Sequence, residues 1–220
     1  MQVARESYPY LLVGSGVAAA GIVLGFPWIG STAAVFTAFI AFFFRDPARS
    51  GPEDSAALVS PADGRVVEVE PDHPAGGTRV AIFLSLWDVH INRSPVAGRI
   101  EKVEYRPGRF LPANLAKASV ENERNAITVD SQLGRVCIVQ IAGVVARRIV
   151  CWKAAGDSVE RGERIGLIQF GSRVEVHLPE GVAPAVGVGS RVRGGSTILA
   201  KLEPALVADR GGALAQATGR

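Results

Sequence analysis

Gly156–Asp157–Ser158–Val159–Glu160–Arg161–Gly162–Glu163–Arg164–Ile165 shares its pattern with a second stretch, Gly189–Ser190–Arg191–Val192–Arg193–Gly194–Gly195–Ser196–Thr197–Ile198. In each, a glycine turn precedes one valine, and a second glycine turn precedes the start of an apolar run. Two quasi-equivalent hairpins are the physical reading. Outward from them, short runs rich in Val and Ile alternate with Gly, Pro and Asp turns. They are Arg65–Glu70, Arg79–Leu84, Gly98–Tyr105, Ala126–Asp130, Val136–Ile141, Ile165–Ile168, Arg173–Leu178 and Thr197–Ala200. Strands at this spacing predict a mainly β sandwich or barrel. Only Pro112–Glu123 suggests a short helix.

Composition bounds the function. The chain has 220 residues, 48% hydrophobic and 20% charged, with a formal net charge of +3. Disordered chains are poor in apolar residues and rich in net charge, so disorder is excluded. No long run of like charge provides a nucleic-acid arm. The mean hydropathy of +0.22 is high for a soluble domain and points to a membrane segment. Two cysteines, Cys137 and Cys151, exclude a disulfide scaffold and read as small core residues. His73, His90 and His177 lack metal-ligand spacing, so no metal is expected.

The membrane segment is at the N-terminus. Ser7 to Phe44 carries no charged side chain over 38 residues, and Gly25–Phe26–Pro27–Trp28–Ile29–Gly30 divides it with a turn. Helices are expected at about Tyr10–Phe26 and Trp28–Phe44, each near the lower limit for a span, so the hairpin either crosses or is re-entrant. Arg5, Arg45 and Arg49 flank it, which by the positive-inside rule leaves both ends and the rest of the chain cytoplasmic. A cleavable signal peptide fits less well, because a second apolar segment follows at once. Arg45–Ala57 reads as a linker. The expected organisation is a membrane-anchoring apolar hairpin over 1–50 and a β-rich catalytic domain over 51–220.

Gly194–Gly195–Ser196–Thr197 carries the chemistry. A serine after two glycines can attack the preceding carbonyl, because glycine tolerates a strained backbone and leaves that carbonyl unshielded. The hydroxyl needs a base and the developing oxyanion needs donors. An N-to-O acyl shift, β-elimination and hydrolysis would then convert the serine into a pyruvoyl group. Alone, Gly–Gly–Ser is a common turn before a strand.

Its companions make it specific. They are Phe43–Phe44–Arg45–Asp46–Pro47, Pro61–Ala62–Asp63–Gly64, Phe83–Leu84–Ser85–Leu86–Trp87–Asp88–Val89–His90–Ile91–Asn92–Arg93, Pro107–Gly108–Arg109–Phe110, Lys117–Ala118–Ser119, Glu121–Asn122–Glu123–Arg124 and Phe170–Gly171–Ser172. In this order the chain closely resembles the phosphatidylserine decarboxylase family, in its short prokaryotic, archaeal-type form. The glycine-turn repeat and the Ser60–Pro61–Ala62–Asp63–Gly64 opening also resemble lipoyl and biotinyl carrier domains, so a lipoyl/biotinyl-like barrel-sandwich is the expected catalytic fold.

The family resemblance implies a self-processing enzyme. The precursor would cut itself between Gly195 and Ser196, leaving a large chain 1–195 associated with a small chain 196–220. Ser196 would become the covalent pyruvoyl cofactor. A Schiff base between it and the amine of phosphatidylserine would act as electron sink, giving phosphatidylethanolamine at the cell membrane. His90 matches the family's histidine and would be the base. Asp63 would orient it, or is an Asp–Gly turn residue. Asp88, two residues before His90, would share its face on a strand and support it, or is structural. Arg124 either holds the substrate carboxylate or phosphate, or forms an ion pair. Phe110 and Leu111 either form an apolar loop that lifts a lipid or are core. Longer members carry a second histidine where this chain has Arg93, so one histidine must serve both reactions or Arg93 and water take over a step. A homo-oligomer is plausible by resemblance. The competing readings are a lipoyl-like adaptor tethered to a membrane and a pyruvoyl decarboxylase of a soluble amino acid. The adaptor stays in one piece and leaves Gly194–Thr197 unexplained. A soluble substrate leaves the apolar hairpin unexplained.

Overall fold

The computed structural model describes residues 2–71, 77–112, 118–143, 148–169 and 172–202. His73, Lys117, Phe170, Gly171 and the C-terminal tail lie outside the described residues. Two helices open the chain, α1 (Tyr8–Val23) and α2 (Pro27–Phe43), each with a proline in its first turn, where the missing N–H costs nothing. Gly25, at φ +78°, turns the chain between them. The close packing of α1 on α2 depends on small residues: a Cβ on Gly21 would lie 2.7 Å from the Gly30 nitrogen. With 16 and 17 residues the helices are about 24 and 26 Å long, against roughly 30 Å of bilayer hydrocarbon. Among the described residues no helix is long and apolar enough to cross a membrane.

The remainder is mainly β, as its Val/Ile runs predict. Among the described residues an eight-stranded antiparallel sheet runs in the order Ser158–Val159, Gly98–Arg106, Arg124–Ser131, Gly134–Ile141, Ser172–Leu178, Thr78–Leu84, Gly64–Pro71 and Arg191–Val192. Two three-stranded sheets accompany it: Ile149–Cys151, Arg164–Ile168 and Ile91–Arg93; and Val182–Pro184, Ile198–Leu202 and Ala57–Val59. A single apolar core fills the space between them, with Leu58, Ile82, Leu84, Ile100, Ile127, Ile138, Ile165 and Ile168 fully buried. Burying each such side chain stabilises the fold by about 1.5–3 kcal/mol before entropy is counted. Along Ser172–Leu178 the alternation is strict: Val174, Val176 and Leu178 enter the core, while Arg173 and Glu175 are buried on the other face. There Arg173 pairs with Glu68 and Glu175, and Arg79 pairs with the same two acids. Of the helix expected over Pro112–Glu123, the described residues show Ala118–Glu121; 113–117 lie outside the described residues. Cys137 and Cys151 are half-buried rather than core.

The glycine repeat has a topological meaning. The Ser158–Val159 strand of the first copy closes one edge of the large sheet on Gly98–Arg99; the Arg191–Val192 strand of the second closes the other edge on Gly64–Arg65. The strands that follow enter the two small sheets. A second repeat accompanies the first: Ser60–Pro61–Ala62–Asp63–Gly64–Arg65 matches Ser94–Pro95–Val96–Ala97–Gly98–Arg99. The glycine hydrogen bonds match in register, and a second pair matches with a shift of one residue. Gly195 N–H donates to Ser60 O and Gly162 N–H to Ser94 O, both at 2.8 Å; Ser60 N–H reaches Thr197 O and Ser94 N–H reaches Glu163 O, again at 2.8 Å. The halves clasp reciprocally, Arg93 N–H to Pro61 O and Val59 N–H to Pro95 O. Nothing in this arrangement confirms a lipoyl-type sandwich; the pairing is of two interlocked halves.

The expected linker is in fact built into the body. Phe43 and Phe44 at the end of α2 are buried with Ala4, Val89, Ile91 and Leu167, and Gln2–Val3 pairs with Arg45–Asp46. Asp46 then makes a buried ion pair with Arg93, and Arg49 a half-buried one with Asp63.

Candidate active site

The Arg193–Thr197 turn is the centre of the site. Ser196 N–H and Thr197 N–H both donate to Arg193 O, at 3.1 and 3.0 Å, and Thr197 Oγ1 accepts Arg193 N–H at 2.9 Å. Gly195 sits at φ +75°, a conformation that L side chains rarely adopt. A Cβ there would also fall 2.9 Å from Arg93 Cδ. The turn is held from outside at successive residues. Gly194 N–H donates to Asp63 Oδ1 at 2.8 Å, Gly195 N–H to Ser60 O, and Thr197 O accepts from Ser60 N–H. The Gly195 carbonyl faces Gly51 and Gly162, where a Cβ would lie 3.3 and 3.6 Å from its oxygen. Gly194 and Gly195 are buried, and Ser196 is half-buried.

The pseudo-equivalent half shows what is special here. Gly162 occupies the place of Gly195, Glu163 that of Ser196, and Ala97 that of Asp63. The same scaffold therefore carries a serine and a carboxylate in one half only.

Asp63 is fixed at both oxygens, Oδ1 by Gly194 and Oδ2 by Arg49 Nη2 at 2.7 Å. Burial pushes its carboxyl above the usual range, against the pull of the Gly194 N–H and the Arg49 charge. These contacts make Asp63 a clamp on the turn that bears Ser196.

His90 is 2% exposed and its ring lies 4.1 Å from that of Phe43. Its Nδ1 is 3.0 Å from Asp88 O. A carbonyl only accepts, so Nδ1 carries the hydrogen and Nε2 the lone pair. Burial holds its pKa down at about 4, so the ring is neutral near pH 7. Asp88 is not on a strand, contrary to the expectation from its spacing. It closes the Ser85–Asp88 turn, with its carboxylate accepting Ser85 N–H at 2.8 Å and Ser85 Oγ at 2.6 Å. It meets His90 through its main-chain carbonyl.

Arg93 donates to Gly162 O at 2.9 Å, Asp46 Oδ1 at 3.0 Å and Pro47 O at 3.1 Å. Its stem forms the wall against Gly195. Asp46 also accepts Arg164 at 2.6 Å, and both Asp46 and Arg164 border a cavity of about 700 Å³ at the base of the hairpin. Arg49, Asp46 and Ser60 were not singled out from sequence. Ser60 had a signal in the second repeat, and Asp46 in the Phe43–Pro47 motif; Arg49 had none beyond its charge.

Arg124 lies elsewhere, at the start of its strand, donating to Ser119 O at 2.9 Å. It borders a small pocket with Glu104, Arg106, Ala126 and Val139. Asn122 accepts Leu111 N–H at 2.9 Å and donates to Leu111 O at 2.8 Å, which shapes the Phe110–Leu111 loop. Phe110 is 38% exposed, so it is not core; Leu111 is half-buried.

Comparison with known proteins bears on this geometry. The family model for phosphatidylserine decarboxylase matches residues 36–200, a range containing every residue named in the turn, its clamp and the histidine segment. The chain belongs to the phosphatidylserine decarboxylase family. It is accordingly an enzyme, a decarboxylase. Two relatives are each 48% identical over 205 residues, 89% of this chain, and both are named phosphatidylserine decarboxylase proenzyme. One is from Beijerinckia indica subsp. indica, with 87% of its length covered, and one from Granulibacter bethesdensis, with 84% covered.

Proposed function

We propose that this decarboxylase cuts itself at Gly195–Ser196 and converts phosphatidylserine into phosphatidylethanolamine with a pyruvoyl group made from Ser196. The observation that carries the reading is the turn itself. Gly195 is held at positive φ, its own N–H is pinned by Ser60 and that of Gly194 by Asp63, while Ser196 keeps partial exposure. A residue made by removing the chain before Ser196 fits this place, since Ser60 would still hold Thr197 O.

The self-processing steps balance without an added reagent other than water. Ser196 Oγ attacks the Gly195 carbonyl carbon as His90 Nε2 takes the hydroxyl proton. The C–N bond breaks, the Ser196 nitrogen gains a proton, and an ester joins Gly195 to Ser196. Removal of the Ser196 α-proton expels the Gly195 carboxylate, and water converts the residual enamine into the pyruvoyl with release of ammonia. Asp63 acts through Gly194, fixing the attack geometry. The pyruvoyl supplies an electrophilic carbonyl for the substrate amine and a place for the electron pair left when carbon dioxide departs. His90, neutral and buried, returns protons to the reacting carbon. Large and small chains stay together through the strand Ile198–Leu202, which pairs with both Ala57–Val59 and Val182–Pro184. Arg124 and the part-exposed Phe110 and Leu111 contact the lipid. The hairpin lies in the cell membrane as a shallow or re-entrant pair, with the body on the cytoplasmic side.

The test is an intact-mass spectrum of the denatured protein, followed by incubation with phosphatidylserine vesicles. Expected are two species dividing at Gly195/Ser196, the smaller blocked at its N-terminus and reactive to borohydride, together with phosphatidylethanolamine formation. Ser196→Ala is expected to leave one inactive chain. A cut product from Ser196→Ala, or an intact wild-type chain that still decarboxylates the lipid, overturns the proposal.

A further inference from the structure

The turn Ser85–Leu86–Trp87–Asp88 joins the end of the hairpin to the histidine. Trp87 is 69% exposed, yet its ring is edge-on to Phe39 at 6.3 Å and to Phe42 at 6.2 Å on α2. Arg45, whose guanidinium lies 3.9 Å over the Phe42 ring, donates to Trp87 O at 2.6 Å. Leu86 beside it is 41% exposed. At the other end, the Asp88 carboxylate closes the turn on Ser85, and the Asp88 carbonyl takes the His90 Nδ1 hydrogen. One four-residue turn thus has an exposed indole at one end and the position of the His90 ring at the other.

An indole set among exposed apolar side chains with a cation at the rim has the character of a membrane–water interface, where the ring's apolar body and N–H both find partners. We propose that the Ser85–Asp88 turn docks into the interface of an anionic bilayer, with Trp87 as anchor and Arg45 at the level of the phosphates. The inference rests on the reading of the hairpin as lying in a bilayer. Lipid is the occupant because the surface is continuous with that of the helices. Leu12, Val13, Val17, Val35 and Phe36 are all exposed there, and no charge occurs from Ser7 to Phe44. The basic residues Arg5 and Arg45 stand at the edges of that stretch, complementary to an anionic surface. Trp87 is a positioning residue in this account.

The experiment uses the processed full chain in vesicles of phosphatidylserine and phosphatidylcholine, with and without brominated acyl chains. Trp28 and Trp152 remain in Trp87→Phe, so the difference in quenching between wild type and Trp87→Phe isolates Trp87. Expected is a strongly quenched component in wild type that is missing in Trp87→Phe. Equal fractional quenching in the two proteins overturns docking. Surface-dilution kinetics give the second readout. Trp87→Ala is expected to raise the interfacial KM by about tenfold or more, as suits loss of a large buried aromatic area, with Trp87→Phe rescuing most of it. A fall in kcat at unchanged KM, not rescued by Phe, means that the indole only packs the turn, and overturns the proposal. Quenching in vesicles lacking phosphatidylserine needs no turnover, so failure of the substrate reading is distinguishable from failure of this one.

Discussion

Protonating His90 is expected to destabilise the folded chain over a defined pH window. An exposed histidine titrates near 6.5, and burial holds His90 at about 4. The folded-state value is depressed, so the unfolded chain binds the proton first. The contribution to stability is therefore complete above about pH 6.5 and is lost as pH falls toward 4. A difference of about 2.5 pH units at about 1.36 kcal/mol each amounts to roughly 3 kcal/mol, of which about 2.5 kcal/mol is gone by pH 4.5. The processed enzyme has two chains, so the assay belongs in the Ser196→Ala background, which is expected to remain one chain. Urea unfolding in a fixed detergent between pH 4.5 and 7.5 is compared with the same protein carrying His90→Gln. All other ionisable groups are common to the two proteins and cancel in the difference. The His90→Gln chain is expected to gain about 2.5 kcal/mol relative to its parent as pH falls across this range. A difference constant to within about 0.5 kcal/mol refutes the buried, neutral histidine. The same pKa governs self-processing: the wild-type cutting rate is expected to be flat from about pH 5.5 upward, and an inflection near 6.5 contradicts the assignment.

Three further outcomes follow from the turn. Gly195→Ala forces a Cβ into a φ of +75° against an Arg93 stem whose guanidinium is anchored, so cutting measured by mass spectrometry is expected to slow by about tenfold or more; an unchanged rate means the turn relaxes freely. Asp63→Asn keeps an acceptor for Gly194 but loses the Arg49 ion pair, and is expected to slow cutting by about tenfold, with Asp63→Ala slower still; normal cutting in both demotes Asp63 to a turn residue. Arg93→Leu leaves Gly162 O and half of the Asp46 carboxylate without donors in a buried place, and is expected to lower stability by about 3 kcal/mol in urea unfolding; a loss under 1 kcal/mol shows that Arg164 and water compensate.

The helical hairpin and the mainly β body were legible because each depends on local pattern. An uninterrupted apolar stretch with Pro27 after Gly25 gives two short helices whatever lies beneath them, and alternating Val/Ile runs between glycine turns give strands. The Gly194–Ser196 sequence and its companion motifs likewise pointed to the bond proposed to react, since self-attack at a peptide needs only neighbours in the chain. Asp63 and His90 were legible by resemblance, but not what they touch. Asp63 proves to hold Gly194 and Arg49, 131 and 14 positions away, and Asp88 reaches His90 by a carbonyl, which no side-chain pattern encodes.

The sequence by itself therefore determined the elements and the family, because these are carried by short segments and their order. Only the tertiary structure decided that the apparent linker is part of the site, that the two Ser–Pro segments clasp the two glycine turns, and that Ser196 and Asp63 stand in one half where Glu163 and Ala97 stand in the other. Those facts depend on hydrogen bonds between segments far apart in the chain, whose pairing is selected by the shared core and not by any residue's local preference.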